Sequence, residues 1–129
     1  MTKLVTLLLW LGIVASAWAQ QDPVRVVQRQ MEAHNAQNLP ALMATYADSI
    51  EVYVFPNRLV LQGKTAVEKA YRDLFRQYPT LYATLLNRIV EGNRVIDQEQ
   101  VTGRGPTPQR AVAIHDVQAG LIRRIWFIQ

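Results

Sequence analysis

The chain has 129 residues, with fourteen Lys and Arg against ten Asp and Glu and no cysteine. That length supports one domain, and the missing cysteines exclude a disulfide framework, so burial has to hold the fold, with dimerisation as its natural reinforcement. The basic excess is mostly arginine and is scattered. Arg25/Arg29 and Arg72/Arg76 read as solvated helix faces, not as the clustered basic surface with interleaved aromatics that binds nucleic acid.

The amino end reads as a targeting segment. Met1-Thr2-Lys3 is a basic lead, residues 4–14 are apolar, and Ala17-Trp18-Ala19 is a small-x-small cleavage signal. The expectation is a secretory signal peptide over 1–19, a mature domain over 20–129, and a secreted or periplasmic address. The apolar run is shorter than the ~20 residues that span a bilayer, so no stable membrane insertion is expected after cleavage.

Asp22-Pro23 is a helix-start signal, and Val24, Val27, Met31 and His34 recur at helical spacing to about Asn35. Asn38 caps a second, shorter helix whose buried side is expected to carry Leu42, Met43 and Tyr46, with Asp48-Ser49 ending it. Residues 50–55 form a strand with Ile50, Val52 and Val54 on one face, and residues 58–62 return as a short strand. Thr65-Ala-Val-Glu68 reads as a capping box opening a third helix, which carries Val67, Tyr71, Leu74 and Phe75 towards a core until Pro79 stops it.

The most telling stretch is 82–103. Two β-prone runs flank Gly92-Asn93, a dipeptide suited to a two-residue hairpin turn. In the second run Val95, Asp97, Glu99 and Val101 share one face, and Ile96, Gln98, Gln100 and Thr102 the other. After a loop over 103–108, strands are expected over 109–117 and 121–129. The order implies an α+β fold: three amino-terminal helices on one face of a strongly bent antiparallel sheet.

Several pieces carry a resemblance: Ala33-His-Asn35, Thr45-Tyr-Ala-Asp-Ser49, Gly63-Lys-Thr-Ala66, Arg88-Ile-Val-Glu-Gly92, Val95-Ile-Asp-Gln-Glu99 and Gly120-Leu-Ile-Arg-Arg-Ile-Trp-Phe127. In this order they resemble the nuclear transport factor 2-like superfamily, and within it the SnoaL-like, steroid delta-isomerase-like sequences. The resemblance implies a cone-shaped, cystatin-like domain with a central cavity, and no cofactor. Ketosteroid isomerase works with an aspartate base, a tyrosine and a protonated aspartic acid. Matching that pattern puts Gln30 where the tyrosine belongs. It finds no carboxylate in Tyr53-Val-Phe-Pro56, and none near Val112 and Ala113. Tyr46 and Tyr71 match two supporting tyrosines.

The same resemblance implies that Ile96, Gln98, Gln100 and Thr102 face the cavity. Asp97 and Glu99 are then expected on the outer face, at a dimer contact or paired with Arg88, Arg94 or Arg124. Read instead from their proximity, they are an acid/base pair. His115 shares a face with Ala113 and Val117, and is either the acid/base of the cavity or a core histidine. Gln30, Tyr46, Phe55, Tyr71, Phe75, Gln98 and Gln100 are the expected ligand contacts, and Trp126 a structural or dimer contact. Two histidines without His-x-His or His-Glu-x-x-His spacing give no metal site, and Ser49 is the only serine after residue 19. The leading expectation is an exported homodimer, paired through the outer face of the sheet, that binds a small, largely apolar molecule where amides, phenols and one imidazole converge without an ionised carboxylate. Its alternatives are proton transfer or hydration by His115, and a non-catalytic dimeric interaction module.

Overall fold

The computed structural model describes residues 22–129; the expected leader lies outside them. Helix α1 (Pro23–Asn35) begins where the Asp22 carboxylate accepts the Val24 N–H at 3.0 Å, and it buries Val26, Val27, Gln30 and Met31. Asn35 then fixes the helix end to the sheet, exchanging two 2.8 Å hydrogen bonds with the Ala83 backbone. Asn38 caps α2 (Leu39–Met43) through the Ala41 N–H.

Strands β1 (Tyr46–Val54) and β2 (Arg58–Gln62) follow, then α3 (Lys64–Gln77), and then β3 (Tyr82–Glu91), β4 (Arg94–Thr102), β5 (Gln109–Gln118) and β6 (Leu121–Ile128). The six-stranded sheet has the order β2-β1-β6-β5-β4-β3. All neighbours are antiparallel except β1 and β6, so the sheet is mixed rather than purely antiparallel. Register shifts in β1, β3 and β5 bend it around the helices.

Two boundaries differ from the sequence expectation. The second helix stops at Met43, and Tyr46 to Ser49 belong to β1 instead of closing that helix. The cause is tertiary: the Thr45 carbonyl accepts the Ile122 N–H at 2.9 Å, drawing the chain beside β6. The capping box at Thr65 does not form. Helix α3 starts earlier, from Gly63, whose φ of +85° and N–H bond to the Ile50 carbonyl set the helix direction without a side-chain cap.

Candidate functional site

Helices α1 and α3 close over the inward face of the sheet and leave a cavity of about 300 Å³. The helices contribute Met31, His34, Tyr71 and Leu74; the sheet contributes Val52, Ala83, Val101 and Phe127. A mostly apolar wall with a few polar groups, at the small end of the usual size range, is the profile of a small-molecule site.

Among the polar groups is Glu99. The two-residue turn at Gly92-Asn93 pairs Glu91 with Arg94, and from there the register runs Val90 with Val95, Arg88 with Asp97, and Ala83 with Val101. Val95, Asp97, Glu99 and Val101 therefore point inwards together. The Glu99 carboxyl makes no hydrogen bond or ion pair with any described residue, and its environment is the cavity. Burial and the neighbouring Asp97 charge push its pKa up to about 7, against a smaller opposing effect of Arg88.

Deeper along the strand, Asp97 is fully buried and receives two bonds from the Arg88 guanidinium, at 2.7 and 2.8 Å. Arg88 also donates to Gln28 of α1 at 3.0 Å, so the pair ties the hairpin to the helix. Beside it, His115 is 1% exposed and its Nδ1 lies 3.2 Å from the Val95 carbonyl oxygen. A carbonyl only accepts, so the neutral ring carries its proton on Nδ1 and keeps a lone pair on Nε2. Desolvation lowers the His115 pKa and favours that neutral form.

On the helix side, Gln30 donates to the Tyr46 hydroxyl at 3.1 Å, and Tyr46 donates to the Tyr71 hydroxyl at 3.5 Å. The Tyr71 proton is left for a ligand. Burial raises the pKa of both phenols, so both remain O–H donors around neutral pH. The site thus sets one carboxyl that titrates near pH 7 among a phenol donor and an imidazole acceptor. Among the described residues, no three His, Cys, Asp or Glu side chains gather as metal ligands.

Comparison with known proteins agrees with this layout. The SnoaL-like domain profile matches residues 27–125, well over half of the chain. The protein belongs to the SnoaL-like family. Solved structures give the same fold. An uncharacterized cystatin-fold protein from Novosphingobium aromaticivorans is 20% identical, with 83% of this chain and 97% of that one covered, at a TM-score of 0.76. A putative polyketide cyclase from Sinorhizobium meliloti is 22% identical, covering 80% and 93%, at 0.71. A putative ketosteroid isomerase from Kribbella flavida is 14% identical, covering 85% and 77%, at 0.72. A search of curated proteins found no match.

Within this SnoaL-like domain the expected contacts divide. Gln30, Tyr71 and His115 line the cavity, and Tyr46 stands behind Tyr71. Phe75 packs in the core against His34 and Tyr71. Phe55 is half exposed, beyond the end of β1 and away from the cavity. Gln98 and Gln100 lie on the outer face, and Asp97 and Glu99 on the inner one, the reverse of the expected parity. The expected absence of a cavity carboxylate falls with it. The Asp97–Arg88 pairing does form, though inside the fold. Trp126 is on the outer face, stacked on Tyr53 at 5.7 Å.

Glu99 departs furthest from the sequence expectation, and the sequence holds a signal for it. Its face carries two valines, Val95 and Val101, whereas the opposite face carries one isoleucine among amides. Counting apolar residues per face favours the orientation found.

Proposed function

We propose that this protein binds a small, largely apolar molecule in the cavity and moves a proton on it, with Glu99 as the acid and base. The observation that carries the reading is the Glu99 carboxyl itself: inside an apolar cavity, without a protein partner, and titrating at about 7. A group with that pKa is divided between donor and acceptor forms at neutral pH, where proton transfer is most efficient. The Tyr71 hydroxyl, backed by Tyr46 and Gln30, donates to a carbonyl oxygen of the ligand. Glu99 takes a proton from the adjacent atom as negative charge builds on that oxygen, then returns it to form product. His115, neutral and held by Val95, accepts a hydrogen bond through Nε2 and orients the ligand. This reading replaces His115 with Glu99 in the central role.

The residue pattern over 1–19 supports export to a secreted or periplasmic location. The outer face of the sheet supports a homodimer. Its register aligns Ile89, Ile96, Ile114, Trp126, Tyr53 and Leu59 in one apolar row across every strand.

The test uses a small bicyclic ketone, 2-decalone, in D2O. The wild type is expected to accelerate exchange of the protons beside the carbonyl, and Glu99→Gln to lose on the order of 100-fold of that rate. Equal rates for the two proteins would remove proton transfer and leave a binding function.

A further inference from the structure

The inward face of β4 leads from Glu99 through Val101 towards Gly103 and Arg104, where the cavity opens. Gly103 has φ +83°, and a Cβ there would collide with the Thr80 carbonyl, so the start of the 103–108 loop is pressed against the segment entering β3. That contact sets Arg104 at the mouth, its guanidinium carbon 5.7 Å from the centre of the Tyr78 ring. Arg104 borders both the cavity and a second hollow of about 400 Å³, which continues it outward past Gln109 and Arg110.

No carboxylate among the described residues forms an ion pair with Arg104. A guanidinium steadied by an aromatic face at the opening of an apolar chamber is suited to an organic anion. The other end of the chamber is not: Glu99, once ionised, repels a second negative charge. The two ends are separated by roughly 16 Å of extended chain at most.

We propose that the ligand is an amphiphilic organic anion, with its apolar body in the cavity and a carboxylate-type head paired with Arg104 at the mouth. This rests on the cavity being a ligand site, and adds the ligand's charge and its direction of entry. The head stays outside, and the opposite end is delivered to Glu99 and Tyr71.

Calorimetric titration of the protein with octanoate and with 1-octanol tests it. Octanoate is expected to bind about tenfold more tightly than octanol. Arg104→Gln should abolish that difference by weakening octanoate alone, and Arg25→Gln, which removes an equal charge from the exposed face of α1, should leave it intact. Octanol binding as tightly as octanoate, or both substitutions weakening octanoate equally, would overturn the proposal while preserving the cavity as a ligand site. Binding of neither compound, with Arg104→Gln indistinguishable from wild type, would overturn both.

Discussion

A carboxyl group enclosed without a partner leaves a signature in stability as well as in chemistry. The Glu99 pKa rises from 4.5 to about 7 on folding. Between those values the folded chain binds more protons than the unfolded one, so stability falls as pH rises through that window and levels off above it. A shift of that size corresponds to a loss of about 3 kcal/mol, complete by pH 8 and nil below pH 4. His34 and His115 work the other way: burial lowers their pKa, so their contribution is present above about pH 6.5 and is lost as pH falls. Comparing Glu99→Gln with wild type isolates the first effect. In urea denaturation from pH 4 to pH 9, the variant should gain up to about 3 kcal/mol on wild type at the alkaline end and converge with it at the acid end. A gap independent of pH would mean that Glu99 is not buried as described. Gln30, Tyr71 and His115 are expected as cavity groups from the family resemblance together with helix and strand spacing, and each lines the cavity. The inward face of Glu99 could be read from the valines on either side of it, Val95 and Val101, but not its lack of a partner, which arises because Arg88 is taken by Asp97 across the hairpin.

At the scale of elements, the β3–β4 hairpin carries the polar machinery. Its turn and the pairing nearest to it could be read from Gly92-Asn93, since a two-residue turn leaves the adjoining residues only one close register, but the register shift between Leu85 and Asn87 could not. Which face turns inwards depends instead on what the helices supply, and Gln28 of α1 completes the Arg88 coordination from 60 residues away. The same limit explains α2 and α3: Thr45 is captured by β6 and Gly63 by the Ile50 carbonyl, both distant in sequence. The Asp97–Arg88 pair predicts a marked asymmetry. Asp97→Ala leaves a largely buried guanidinium uncompensated and should cost about 3–5 kcal/mol, whereas Asp97→Leu with Arg88→Met should cost much less. Denaturation midpoints of the two proteins decide it, and equal losses would show that the charges matter only as space-filling groups.

For the whole molecule, the helix and strand order was sufficient to specify an α+β layout with helices on one face of a bent sheet, because each amphipathic element has few ways to bury its apolar face, whereas the SnoaL-like assignment rested on the resemblance of particular segments. The proposed homodimer would use the side of the sheet that the helices leave bare. Ile114 is central in the apolar row there, flanked across the strands by Ile96 and Trp126. The wild type is expected to be a dimer by light scattering, and Ile114→Lys a folded monomer with an unchanged circular dichroism spectrum. A monomeric wild type at micromolar concentration would exclude this face as the contact.

The position of β6 has a consequence for how the molecule comes into being. It is the last element in sequence yet lies between β1 and β5, joining Tyr46 to Ile122 in register. The pieces on either side, β2–β1 and β5–β4–β3, have no ladder of their own with each other. Without the eight residues of β6 each piece has an additional open edge, at β1 or at β5, besides the outer edge it keeps in the finished sheet. The wall of the cavity is therefore divided between two separate pieces of sheet until β6 joins them.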